Sequence, residues 1–209
     1  MEKGVFMAAT DDIISIEWKM FQAVNEGGSK ASCQNDHVTF DRMRRAQFEA
    51  WPAEALGSYL RDLETAKSAG HNLVEEKYIR MMERTAPDEY VLLQGRLPAL
   101  TLARRQLAEE IAEKLMRQTE ELFARFPDAA GAFRPLHSEQ DTPWSTSLET
   151  YQLGELLTYS ENTLIVLREH ILALEAQGIS LAKCILESSI RPYGLRDLEE
   201  AGMYASRKG

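Results

Sequence analysis

Three observations predict an all-α fold, a single-domain multi-helix bundle spanning residues 1–209. Apolar residues recur at helical spacing along nearly every segment, and no segment alternates as a half-buried strand does. Glycines number twelve and prolines seven, too few for a loop-rich chain. The 209 residues, 44% hydrophobic and 27% charged, suffice for one sizeable core and match ordinary globular usage.

The first helix is predicted from Thr10, an N-cap followed by Asp11 and Asp12, to about Asn25, where Gly27-Gly28 stops it. The second runs from about His37 to Trp51; Pro52 ends it and opens the third, which reaches Gly70. Asn72, with Glu75 three residues on, reads as a capping box for a fourth helix that stops before Pro87. A short helical piece covers Asp88 to Gln94. Pro98 opens the longest helix, roughly 43 Å to Phe126 at 1.5 Å per residue. Its stripe is Leu107, Ile111, Leu115, Leu122 and Phe126, with Glu110–Lys114 and Glu113–Arg117 four apart on the solvated side. Residues 127–145 form the one long irregular stretch, a length that marks a functional or mobile loop. Thr146 and Glu149 cap a helix running to Gln177 and closed by Gly178; Ser180 caps another to about Ile190, stopped by Pro192. Residues 195–209 are charged and expected to fray.

The net charge of −9 disfavours binding to nucleic acid or an anionic membrane surface, because phosphates are repelled. No apolar run reaches the ~18 residues of a membrane span. Met1 to Thr10 has no apolar stretch ahead of Asp11-Asp12, so no signal peptide is expected. The two cysteines, Cys33 and Cys184, stand alone without a CxxC. A cytoplasmic protein with reduced thiols is the expectation.

Several polar residues interrupt the apolar stripes. Glu17 lies four after Ile13 and four before Phe21. Arg44 stands in the same relation to Phe40 and Phe48, and Gln47 to Met43 and Trp51. Antiparallel packing of the first two helices brings Glu17 to Arg44, either as an ion pair that fixes register or as part of a polar pocket. The connecting loop adds Asn25, Cys33 and Gln34, and Gly27-Gly28 permits the positive φ of an anion nest. Cys33 precedes a helix N-terminus with His37 four on, a weak nucleophile signal beside the plainer reading of an inert thiol.

A second set comprises Lys77, between Leu73 and Met81, and Glu155 and Glu161, each flanked by apolar residues at helical spacing. A snorkelling lysine at the core edge is the simpler account of Lys77. Paired carboxylates suggest acid–base or metal chemistry. No Glu-x-x-His, His-x-x-x-His, GxSxG or phosphate-loop glycine pattern occurs, so no metal and no cofactor is expected. His170 reads as a satisfied core histidine.

Glu17-Trp18, Phe21, Gly27-Gly28, Ala31-Ser32-Cys33-Gln34, Thr39-Phe40, Met43-Arg44 and Gln47 together resemble an uncharacterised bacterial family, a domain of unknown function. The resemblance continues through Asn72-Leu73, Glu76-Lys77-Tyr78, Met81-Met82-Glu83 and Thr150-Tyr151 to Thr158-Tyr159-Ser160, covering most of the chain. It implies a stand-alone bacterial cytoplasmic domain and assigns no catalytic residue.

The resulting expectation is a small-molecule-binding or enzymatic domain with a buried pocket around Glu17, Asn25, Cys33, Gln34, Arg44 and Gln47. The other reading is a helical interaction or regulatory module acting on a partner protein. Residues 127–145, anchored by Phe133, Leu136 and Trp144, are a candidate lid over that pocket.

Overall fold

The computed structural model describes residues 2–24, 32–131 and 133–207, excepting the side chains of residues 2–6 and of Ser32 and Cys33. The described residues are helical and contain no strand; one isolated bridge pairs Thr142 with Ser145. The helices are α1 Glu2–Ala23, α2 His37–Phe48, α3 Ala53–Ser68, α4 Leu73–Thr85, α5 Pro87–Leu93 and α6 Leu102–Arg125. They continue with α7 Pro127–Ala130, α8 Leu148–Leu156, α9 Glu161–Glu175, α10 Leu181–Ile190 and α11 Leu198–Ser206. None is long and apolar enough to cross a membrane.

Asn72 and Ser180 cap where the sequence places them, and Ser147 caps α8 in place of Thr146. Asp36, Asn72, Thr101, Ser147, Ser160 and Ser180 each accept a backbone amide of their helix's first turn, satisfying donors that would otherwise have no partner. Four further boundaries differ from expectation. Helix α1 starts at Glu2, so Thr10 lies inside it, buried, rather than capping it. Helix α6 begins at Leu102, with Thr101 as cap in place of Pro98. The helix expected over 146–177 is two helices, because Ser160 starts a new one after the turn at Leu157–Tyr159. The stretch 195–209 holds α11, whose Leu198 and Ala201 are buried, so it is not a frayed tail.

Two apolar clusters hold these helices. The larger includes Ile13, Phe48, Trp51, Leu56, Tyr59, Leu63, Ile111, Leu164, Leu167 and Ile171, drawn mainly from α1, α2, α3, α6 and α9. The smaller joins Leu122, Phe123, Ala129, Leu186, Ile190 and Leu198 where α6, α7, α10 and α11 meet. Residues 127–145 are therefore not one irregular loop. They begin with α7, packed on α11, and hold a 3-10 turn at Ser138–Gln140.

Arg105 and Glu109 pair along α6, but Glu110, Lys114 and Arg117, which the sequence pairs along it, act between helices. Glu110 faces Arg168, while Lys114 and Arg117 face Glu175 of α9.

Candidate functional site

Arg44 is the hub of a buried polar network. Its Nε and Nη2 donate to Glu17 Oε2 and Oε1 at 2.7 and 2.6 Å, a parallel two-bond contact between α2 and α1. Its Nη1 donates to Gln47 Oε1 at 2.9 Å and to Glu155 Oε1, on α8, at 2.9 Å. The guanidinium also lies 4.6 Å from the Phe48 ring centroid.

Glu155 gathers the rest. Its Oε1 accepts from Gln47 Nε2 at 2.8 Å and from the Tyr159 hydroxyl at 2.5 Å; its Oε2 accepts from Lys77 Nζ at 2.6 Å. The Tyr59 hydroxyl donates to Glu17 Oε1 at 2.7 Å. The Tyr59 and Tyr159 rings lie 4.7 Å apart and carry the network into the aromatic core around Phe48 and Trp51. The two cations and two carboxylates balance, which removes the net charge that would make burial prohibitive.

This charge balance sets the protonation states. Burial works against the Arg44 charge, but Glu155 and Glu17 outweigh it and hold the guanidinium's pKa well above its usual value. Burial likewise opposes ionisation of Glu155, yet Arg44 and Lys77 keep its pKa far below the usual carboxylate range. Burial, reinforced by the nearby carboxylates, raises both tyrosine hydroxyls well above ordinary phenol values.

Five of the polar residues marked by the sequence thus converge: Glu17, Arg44, Gln47, Lys77 and Glu155. Lys77 does not snorkel outward. Its Nζ is buried against Glu155 and sits 3.5 Å from the Tyr151 ring centroid, where a cation gains from the ring's negative face.

Gln34 lies apart from this network in its described bonds. Its Nε2 donates to the Phe21 and Val24 carbonyls at 2.8 and 3.0 Å, closing the C-terminal end of α1. Glu161 is exposed in the first turn of α9, because the break at Ser160 turns it away from the face carrying Glu155. Asn25, the Gly27-Gly28 turn and the Cys33 side chain lie outside the described residues.

Tyr59 and Tyr159 are functional-looking residues that sequence reasoning did not single out. The available signal was weak: a tyrosine four after Ala55 and four before Leu63 looks like core packing. Tyr159 stands four after Glu155, the spacing at which helical side chains meet, and it reaches Glu155 at the turn after α8.

The candidate lid is built differently from expectation. Phe133 stacks on Phe123, 5.7 Å between centroids, within the smaller apolar cluster. His137 lies 3.9 Å from Glu120, and Trp144 is 95% exposed. Arg134, however, lies 4.9 Å from the Tyr151 ring that Lys77 also faces, so this stretch meets the network's rim.

Among the described residues, His137, Glu139 and Glu149 form a group whose candidate ligand atoms lie within 4.8 Å of one another. Glu149 already accepts from Arg84 at 3.0 Å and from the Ser138 amide at 2.9 Å. A metal there would face a guanidinium held on its own ligand, an unfavourable setting.

A family model described as "Protein of unknown function (DUF4125)" matches residues 8–203. No curated protein and no solved structure matches the chain.

Proposed function

We propose that this chain, which belongs to the DUF4125 family of proteins of unknown function, is a helical interaction module that engages a partner protein through its α5–α6 corner. The observation that carries this reading is α5 itself. None of its residues is buried, yet it exposes Val91 and Leu92 at 63% and 82%, and Leu102 is 70% exposed at the start of α6. Large apolar side chains left in water on a helix with no buried residue mark a surface that gains by being covered. The partner surface that fits is an apolar groove or helix face.

The Arg44 network supports the same reading from inside. Both oxygens of Glu17 and of Glu155 already accept bonds from the chain's own side chains. Such a centre holds α1, α2, α3, α4 and α8 in one register and leaves recognition to the surface.

A photocrosslinking residue at Leu92, introduced in source cells, is expected to give one discrete protein adduct that is lost on Val91→Ser. Labelling no stronger than from Leu172, exposed on α9, would overturn the reading.

A second reading keeps a small-molecule ligand at the polar centre. It is favoured by Gln47, the one half-buried member of the network, which a ligand would displace to reach Arg44 and Glu155. Native mass spectrometry of freshly purified protein tests it: a stoichiometric small molecule that is lost in Gln47→Leu would favour this reading over the first.

A further inference from the structure

We infer that the cleft between α4, α6 and α8 is a binding site for a small aliphatic monocarboxylate. The cleft has a volume of about 170 Å³ and lies outside the Arg44 network. Leu153, Gly154 and Leu157 of α8 and the turn after it give it apolar lining, and Thr150, Arg80, Arg84 and Arg105 add polar groups. Apolar lining beside guanidinium groups matches a ligand with a short hydrocarbon body and an anionic head. The volume falls below the ~300 Å³ of common drug-sized pockets, which restricts the ligand to a few carbons.

The apolar lining is set by close helix packing. A Cβ on Gly154 would lie 2.7 Å from Met81 Cγ, so α8 sits directly on α4 at this glycine.

The three arginines are not equivalent. Arg80, with its side chain 7% exposed, is fixed by Glu76, which its Nε reaches at 2.8 Å. Arg84 donates through Nη1 to Glu149 at 3.0 Å. Arg105 has the loosest pairing, 3.7 Å to Glu109, beyond hydrogen-bond distance, with both side chains about half exposed. Its guanidinium is the one free to turn onto a carboxylate, with Arg80 and Arg84 as fixed positive charges behind it.

The rim decides the charge of the ligand. Glu83 and Glu109 also line the cleft and repel a multiply charged anion more strongly than a singly charged one. A monocarboxylate therefore fits better than phosphate, and the two leucines favour an alkyl chain over a bare anion.

The test is an amide-resolved NMR titration of the full chain with 4-methylpentanoate, inorganic phosphate and pentylamine as probes. Saturable shifts are expected with 4-methylpentanoate at Thr150, Leu153, Gly154 and Leu157. Arg105→Gln is expected to weaken binding about tenfold, the loss of one charged hydrogen bond. Glu109→Gln, at an exposed site and compatible with folding, is expected to tighten it. Three results would overturn the inference: no saturable shift at these residues, an affinity unchanged in Arg105→Gln, or phosphate or pentylamine binding as tightly as the carboxylate.

Discussion

The Arg44 guanidinium lies edge-on to the Glu17 carboxylate, two parallel bonds joining residues 27 positions apart on α1 and α2. Everything else in the network hangs from this contact: Gln47 and Glu155 share the remaining nitrogen, and Lys77 and Tyr159 reach Arg44 through Glu155.

Removing the hub leaves the buried Glu17 carboxylate without a cation, while Glu155 keeps Lys77. Arg44→Met is expected to destabilise the fold by about 3–5 kcal/mol, because Glu17 then lacks its cation and keeps only Tyr59 among its described donors. Adding Glu17→Gln removes the stranded charge and should recover part of the loss. Urea midpoints of the two variants check this; a wild-type midpoint for Arg44→Met would show that the network adds nothing to stability.

Lys77→Met should cost less, about 1–3 kcal/mol. Glu155 keeps Arg44, Gln47 and Tyr159 when the lysine is gone, and the methionine chain still covers the Tyr151 face. Equal losses for Lys77→Met and Arg44→Met in the same urea titration would contradict the hub arrangement.

The network's charged and amide members are visible in the sequence, its two tyrosines are not, and its connectivity is only partly so. Glu17, Arg44, Gln47, Lys77 and Glu155 each interrupt an apolar stripe at a spacing of four, and a charge in that position needs a compensating partner. Glu17 and Arg44 belong to consecutive helices, so their meeting follows from antiparallel packing. Glu155 lies 111 residues from Arg44 and 78 from Lys77, a juxtaposition that only the tertiary fold creates. Glu161 was misplaced for a local reason. Its stripe assumed a continuous helix, and Ser160, an effective N-cap, breaks that helix and resets the faces. Likewise α11 looked too charged to fold, yet Leu198 and Ala201 are enough to dock it on α7.

Docking of α11 depends on small residues at the contact. A Cβ on Gly202 would meet Asp128 Cβ at 3.0 Å and the Ala129 nitrogen at 3.1 Å, one of them backbone that cannot easily yield. Gly202→Ala should therefore loosen α11 from α7. Amide exchange in residues 198–206 is expected to quicken, with α3 and α9 unaffected. Unchanged exchange there would mean that the contact relaxes without cost.

The network also dictates a stability profile with two falling limbs. On the acid side, Glu155 has a folded pKa far below that of the unfolded chain, because Arg44 and Lys77 overcome the opposing effect of burial. Its contribution is complete above the unfolded value, about 4.3, and is lost as pH falls from there toward the folded value. Glu149 adds a smaller effect of the same sign, its partial burial outweighed by the Ser138 amide and Arg84. On the alkaline side the sign reverses. Burial and the carboxylates raise the folded pKa of Tyr59 and Tyr159, so their contribution is complete below the unfolded value, about 10, and is lost as pH climbs above it. Urea midpoints should therefore be level, as far as these groups are concerned, between about pH 5 and pH 9, and fall on both sides. The variants separate the limbs, and it is slopes rather than absolute midpoints that report. Glu155→Gln should flatten most of the acid limb and, because Glu155 also raises the Tyr159 hydroxyl, soften the alkaline one; Tyr159→Phe should reduce the alkaline limb to the part that Tyr59 carries and leave most of the acid limb. An acid slope equally steep in wild type and Glu155→Gln would mean that the Arg44-centred network does not hold this carboxylate ionised.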